Sequence, residues 1–473
     1  MASFFKILLV IALLPVLLVS LWDPNWFKTD IDQQLEQVSY VDLQFDYIDH
    51  SLIQPGKMSI HNIELDGELI KGSIPLLHVS VAVSSLLNKQ LIVKEIKLVN
   101  PALQVNMAAI KAMSEQPNNA VAEENTFQSL PIQSAELQRF IIENAHIMDV
   151  SEPSLFAIKG LNLRLSDLQL VKNNRPITPE TLPPVAIELT INKTVLTGQS
   201  FGKLLINTLG NGQQLTLNQF QMVTEQSNIN LNGKVNNPLK SPVVSLTIDE
   251  SVVALDEFDG LMGDLPIKPA GVVNLIGKLQ EFAVSNDTQH MLQNLNGNLH
   301  IGLDNGIVRG IDINQMVQTI KDSRNTKDLG FLLLKNTVKV LDKRSTGSSW
   351  TRAALNHHHQ TAIPQLRVNS TLTNGMLNLQ HTAFATDQYR VAINGAVDID
   401  TVSFNDFTFS ILNAAGCADV QQTLNGNLDN PTHFLTKNLA ANIINPLESL
   451  FENFVKPASA CQPVYQGEVL HPN

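Results

Sequence analysis

The residue types that carry chemistry are few in this sequence, and they are poorly grouped. His357, His358 and His359 run consecutively, and imidazole is the commonest metal ligand. Neighbouring residues on an extended chain point to opposite faces, however. The flanking residues Asn356 and Gln360 add no carboxylate or thiolate. The run reads as an exposed loop or strand end, and no metal is expected. The carboxylate pairs Asp304/Asp312 and Asp398/Asp400 have the composition of an acid–base pair. Both lie near turn signals, where Asp is favoured because its side chain bonds the local backbone. No G-x-S-x-G elbow, H-E-x-x-H helix or phosphate-binding loop occurs, and Gly210-Asn211-Gly212 lacks the third glycine of a dinucleotide fingerprint. No catalytic residue is named, no cofactor is expected, and the reading is of a protein that is not an enzyme.

Cys417 and Cys461 are the only cysteines. In an oxidising compartment they would form one disulfide, adding roughly 3–4 kcal/mol by restricting the unfolded chain. Two free buried thiols are the alternative.

The elements that must position such groups follow from composition and period. The chain has 473 residues, a formal charge of −12, 44% hydrophobic and 16% charged residues. This excludes a nucleic-acid binder, which needs a basic face, and a disordered chain, which cannot bury enough apolar surface. Lys6 is the only charge in residues 4–22, a length close to the ~20 residues that span a hydrocarbon core. A cleaved signal peptide competes, but Leu18 stands where a small residue is wanted before a cleavage site. The reading is an uncleaved anchor over 1–24. Lys6 precedes the span and Asp23, Asp30 and Asp32 follow it. The N-terminus is therefore expected in the cytoplasm, with the body across the membrane.

Beyond the anchor the period becomes two. Leu77, Val79, Val81 and Val83 alternate with small or polar residues. So do Val391, Ile393, Val397 and Ile399, and then Phe407, Phe409 and Ile411. Such rows mark strands with one apolar face. Asn-Gly and Asp-Gly pairs stand among them, including Asp66-Gly67, Asn232-Gly233, Asn296-Gly297, Asn305-Gly306, Asn374-Gly375, Asn394-Gly395 and Asn425-Gly426. They predict hairpin turns. Four sit in a loose repeat of aliphatic, Asn, Gly, any residue, aliphatic, beginning at Leu231, Leu295, Ile393 and Leu424. Ile313, Met316, Val317 and Ile320 have helical spacing, and Leu447, Leu450, Phe451 and Phe454 mark a second helix that Pro446 limits. The expected fold is mainly β with a few helices: a transmembrane helix and then a long curled antiparallel meander. The expected segments are the anchor (1–24), an N-terminal β region with a short leading helix (25–106), a polar loop (107–130), a central antiparallel region (131–311), a helical insertion (312–341), a C-terminal β region (342–437), and a helix and tail (438–473).

Four stretches carry a family likeness. They are the anchor leading through Trp22-Asp23-Pro24-Asn25; residues 75–87 with 93–101; the turn Asn305-Gly306-Ile307-Val308-Arg309-Gly310-Ile311-Asp312; and 372–398 ending in Cys417 and Cys461. In this order they resemble the AsmA family of bacterial envelope proteins. The resemblance implies a single-pass inner-membrane protein with a periplasmic body, connected with outer-membrane biogenesis and lipid balance. Larger relatives resemble bridge-like lipid carriers in which a curled sheet offers a greasy groove to acyl chains.

A meander with one apolar face must hide that face. It can close on itself, pack on helices, or leave a trough. About 20 strands at ~4.8 Å would make a trough ~100 Å long. The expected wall of such an elongated apolar groove is Leu77, Val79, Val81, Val83, Val391, Ile393, Val397, Ile399, Phe407 and Phe409, and the expected partners are the inner membrane and a phospholipid. A sandwich or barrel with a dry core is the alternative fold. An assembly factor that acts through envelope protein contacts, docking by 107–130 or by the helix after Asn438, is the alternative function. On this reading the purified protein takes up a maleimide label at Cys417 and Cys461 only after reduction, and labelling without reductant would exclude the bridge.

Overall fold

The computed structural model describes residues 41–50, 54, 56–109, 132–150, 156–196, 199–259, 268–284, 288–322, 360–401, 403–427 and 463–472. The expected anchor, the short leading helix, most of 107–130, the helical insertion beyond 322, His357 to His359, Cys461 and the helix after 438 lie outside the described residues. Within them the chain is mainly β, with long antiparallel sheet and few helices. It divides into two compact units, Met1–Glu225 with Asn232–Lys240, and Gln226–Leu231 with Ser241–Asn473. The division falls inside 131–311, which the sequence reads as one region.

In the first unit, β1 (Val41–Gln44) and β2 (Tyr47–His50) pair with β3 (Lys57–Gly67), and β3 pairs with β4 (Ile70–Val81). The one-turn helix α1 (Val83–Leu86) follows β4 directly. Val83 is therefore the first residue of a helix and not the next position of the strand, a correction to the expected alternation. On the other side of β4 lie β5 (Gln90–Val99) and β6 (Ala102–Val105). They are one strand line broken at Asn100, which has φ 52°, and at Pro101, which has no N–H to donate.

The next strand, β7 (Ser134–Asp149), runs parallel to β5 and β6. The meander is thus not antiparallel throughout. A parallel pair needs a long return connection. Sixteen residues of β7 extend about 53 Å at ~3.3 Å each, which accounts for the length of chain between β6 and β7. Antiparallel pairing resumes with β8 (Phe156–Lys172), which carries the two-residue β9 (Arg175–Pro176). Next come β10 (Val185–Ile191) and β11 (Lys193–Leu196) along β8, with β12 (Gln199–Phe201) on β11. Then β13 (Lys203–Gly210) pairs with β10, and β14 (Gln214–Val223) with β13. β15 (Asn228–Asn236) stands where the units divide.

The second unit is a plain antiparallel meander. β16 (Val243–Ala254), β17 (Lys268–Ala283), β18 (Gly297–Arg309), β19 (Gln360–Thr373), β20 (Met376–Ala385), β21 (Arg390–Asp398), β22 (Ser403–Leu412) and β23 (Ala418–Asn427) pair in chain order. α2 (Thr288–Gln293) stands between β17 and β18, and α3 (Ile313–Asp322) follows β18.

Four of these pairs are not hairpin turns. Asn374-Gly375 is such a turn: both residues have positive φ, 49° and 74°, as a two-residue type I′ turn requires. Asp66-Gly67 closes β3 and leads into the turn before β4. The pairs at Asn232, Asn305, Asn394 and Asn425 lie inside strands. The last three sit at register shifts, which are β-bulges. At Gly395, φ is 115° and an added Cβ would lie 2.4 Å from the Asp406 carbonyl oxygen. Asn and Gly tolerate left-handed backbone in a bulge for the same reason as in a turn, so local pattern cannot separate the two.

The main core belongs to the first unit. Leu77, Val79, Val81, Leu91, Val93, Ile96, Leu137 and Phe140 are buried with Ile48, Ile60 and Leu170. The opposite face of β4–β10 is charged, with pairs Lys97–Glu143 at 2.7 Å, Arg139–Glu95 at 3.2 Å and Arg164–Glu188 at 3.7 Å. Leu137 is 1% exposed and central to the core. Leu137→Ala is expected to cost about 2–5 kcal/mol in the denaturant transition of this unit. A change below 1 kcal/mol would show that the core is not tightly packed there.

Candidate functional site

Strand register lets side chains be followed across each sheet. In the first unit one row reads Ile48, Ile60, Leu77, Leu98, Ile142, Leu163, Leu189, Ile206 and Phe220. It crosses nine strands without a polar residue, about 38 Å at ~4.8 Å per strand. The parallel row reads Met58, Val79, Ile96, Phe140, Leu165, Ile187, Thr208 and Leu217. Its single polar member, Thr208, is buried, and its Oγ1 has no hydrogen-bond partner.

Burial changes along these rows while the chemistry does not. Ile48, Ile60 and Leu77 are 4%, 6% and 5% exposed, whereas Leu98, Ile142, Leu163, Leu189, Ile206 and Phe220 are half-buried. The face is sealed at β2–β4 and half-open by β10–β14. Leu77, Val79 and Val81, expected to line a trough, therefore belong to its sealed end.

The second unit repeats the device. Val253, Val273, Leu303, Leu366, Phe384, Val391, Ile411 and Val420 form an apolar row across eight strands. From Phe384 onward it lies beneath α3, where Val317 and Ile313 pack on Phe384, Val391, Phe409, Ile411 and Val420. Beside this patch Ile393, Val397 and Leu379 surround the buried Phe404, Phe407 and Leu424. Phe404 and Phe407 meet with ring centroids 4.8 Å apart. Ile399 lies in the turn beyond β21, its N–H donating to the Gly375 carbonyl at 3.1 Å. Val391 and Phe409, expected as open wall, are covered by a helix.

The opposite face of β20–β22 is covered too. Ala383, Ala385, Ala392 and Leu412 pack against Tyr465 and Val469 of the 463–472 segment. Arg390, 8% exposed, fastens this segment: Nη1 donates to the Val469 carbonyl at 3.2 Å and Nη2 to the Asn413 carbonyl at 2.8 Å. Arg367 donates to Glu468 at 3.0 Å and reaches both oxygens of Asp304 at 2.9 and 3.2 Å. Partial burial works against the Arg367 charge, but the two carboxylates outweigh it and hold the guanidinium above its ordinary range. Cys417, at the base of the segment, is disulfide-bonded. The other cysteine of the sequence is Cys461, outside the described residues.

The carboxylates singled out in the sequence are structural. Asp304 pairs with Arg367. Asp312 accepts the Gln315 N–H at 2.9 Å, as a helix cap does. Asp398 accepts the N–H groups of Asp400 and Thr401 at 3.0 and 2.9 Å, closing a turn. One contact the sequence did not suggest joins Ser59 Oγ and His78 Nδ1 at 2.8 Å, on two strands separated by a hairpin. The register partner of His78 on β5 is Lys97, which pairs with Glu143. No group of residues suited to a metal ion occurs among the described residues. Comparison with protein families, with curated proteins and with solved structures finds no match to this chain.

Arg390→Ala would remove the side-chain donor to the Val469 carbonyl and one of two donors to the Asn413 carbonyl, which keeps the Gly416 N–H at 3.0 Å. The expected cost is about 1–3 kcal/mol, read as earlier proteolytic release of the 463–472 segment. Release at the wild-type rate would show that Arg390 is not its fastening.

Proposed function

We propose that this chain is a non-enzymatic envelope protein that binds or conducts phospholipid, held in the bacterial inner membrane by residues 1–24 with its body on the periplasmic side, where it serves outer-membrane biogenesis. The observation that carries the reading is the nine-strand row of the first unit. It keeps one apolar character while passing from sealed to half-open. A core residue needs no such row once it is sealed, and a solvent-facing strand position needs no aliphatic side chain at all. The half-open members Leu189, Ile206 and Phe220 form the wall of an elongated apolar groove.

An acyl chain laid along such a wall gains about 0.8 kcal/mol per CH₂ taken out of water. The contact is non-directional, so the chain can slide with little change in energy. The low aromatic content, 5%, leaves few rings to obstruct it. The resemblance of the segment order to the AsmA family supports the same reading, as does the apolar span over residues 4–22.

Purified full-length protein is expected to carry phospholipid, detected by native mass spectrometry and by lipid extraction. The double variant Leu189→Asp with Ile206→Asp is expected to lose most of it while retaining its β-rich circular dichroism. Full lipid content in that folded variant, or none in the wild type prepared without detergent exchange, would overturn the proposal.

A further inference from the structure

A buried hydroxyl needs a hydrogen-bond partner, and among the described residues most buried hydroxyls have one. Thr361 donates to the Ile311 carbonyl and accepts the Ile313 N–H, both at 2.9 Å. Ser370 donates to the Leu299 carbonyl at 3.0 Å, Thr382 to the Asn369 carbonyl at 3.3 Å and Ser85 to the Ala82 carbonyl at 2.6 Å. Ser251 accepts the Asn230 N–H and Thr386 the Tyr389 N–H, both at 2.9 Å. The buried hydroxyls of Thr208 and Ser410 have no partner. Ser410 is the register partner of Ala392, on the face that the 463–472 segment covers. Thr208 lies on the apolar face of β13, where the wall is half-open.

Thr208 pairs in register with Ile187 on β10 and Leu217 on β14. Both partners are half-buried, as is Ile206, two residues earlier on the same face of β13. Thr208 itself is 8% exposed. Its side chain is shorter than those of Ile187 and Leu217 and lies lower between them. Valine has the same shape and would fill this place with no hydroxyl to desolvate. The wall therefore carries, among hydrocarbon, one O–H donor with nothing to donate to.

We infer that Thr208 sets the specificity of this wall: its hydroxyl donates to the ester carbonyl of a bound glycerolipid whose acyl chain lies along Leu189, Ile206 and Phe220. This rests on the lipid-binding reading above. Hydrocarbon contacts hold a chain equally well at many positions along the row. The ester carbonyl is the first polar group at the end of an acyl chain, and it accepts without donating. Once the wall has excluded water, that carbonyl and the Thr208 hydroxyl each lack a partner, and each supplies what the other needs. Ile187 and Leu217 move apart to admit the ester; being half-buried, they are the side chains a ligand meets first. The contact gives a sliding lipid one preferred stop and favours an ester-linked chain over an ether-linked one.

The test uses the full chain in lipid-free amphipol. The probes are 1-palmitoyl lysophosphatidylcholine, isotopically labelled at its ester carbonyl, and its 1-O-hexadecyl ether analogue, which has the same chain and headgroup and no carbonyl. The wild type is expected to bind the ester about 3- to 10-fold more tightly than the ether, and the infrared stretch of the bound carbonyl is expected at the lower frequency of a hydrogen-bonded ester. Thr208→Val is expected to bind the ether as the wild type does, to bind both probes equally, and to leave the bound stretch unshifted. Thr208→Ser, which keeps the hydroxyl, restores the preference. The wild-type stretch and Thr208→Ser decide the matter if Thr208→Val does not fold. Saturable binding with equal affinities in the wild type, an unshifted stretch there, or an undiminished preference in folded Thr208→Val overturns the ester contact and leaves the lipid-binding reading intact. No saturable binding of either probe by any form of the protein removes both.

Discussion

The side-chain period of a β-strand is two, and strand pairing holds neighbouring side chains in line; together these turn alternating sequences into continuous apolar rows. Each sheet here has one such face, and water leaves that face only a few ways to be satisfied. At β2–β7 it is packed into a core whose central residues are nearly inaccessible. At β20–β23 it is packed beneath α3. From Leu163 on β8 to Phe220 on β14 the nine-strand row stays half-exposed. One chemistry under three degrees of cover is the feature from which the lipid-handling reading is built.

Keeping the rows in line over long strands requires correction. β7 and β8 span 16 and 17 residues, and strands of that length accumulate twist. Register shifts at Ile142 to His146 and left-handed residues at Asn144, Asp167 and Gly160 absorb it. The charged pairs on the reverse of the sheet oppose slippage, because a slip of one residue would place Lys97, Arg139 and Glu143 on the apolar side. Asn and Gly residues inside β18, β21 and β23 do the same work in the second unit, where the bulges let the strand bend and leave the rows on either side in register.

The C-terminal strands of the second unit show how covering both faces changes what alternation means. On β21, Val391 is under α3 and its neighbours Arg390 and Ala392 are under the 463–472 segment. Small residues at 383, 385 and 392 make room for Tyr465 and Val469 on the second face. The buried Arg390 joins this segment to the sheet through its two Nη atoms, which donate to the Val469 and Asn413 carbonyls.

The sequence alone determined the β class, the apolar alternation on β4, β21 and β22, the start of α3 at Ile313, and the turn at Asn374-Gly375, because each is decided within a few residues by side-chain period or by backbone sterics. Tertiary structure decided the rest. Val83 continues the alternation of β4 in sequence but starts a helix. Asn305, Asn394 and Asn425 look like turns but sit in strands, since a bulge and a hairpin ask the same of one residue. The parallel step between β6 and β7, the division of the chain near residue 225, and which apolar residues are sealed all depend on pairing between residues far apart in the chain. Period two says which side chains share a face; only the packing of a distant helix or segment against that face says whether water reaches it.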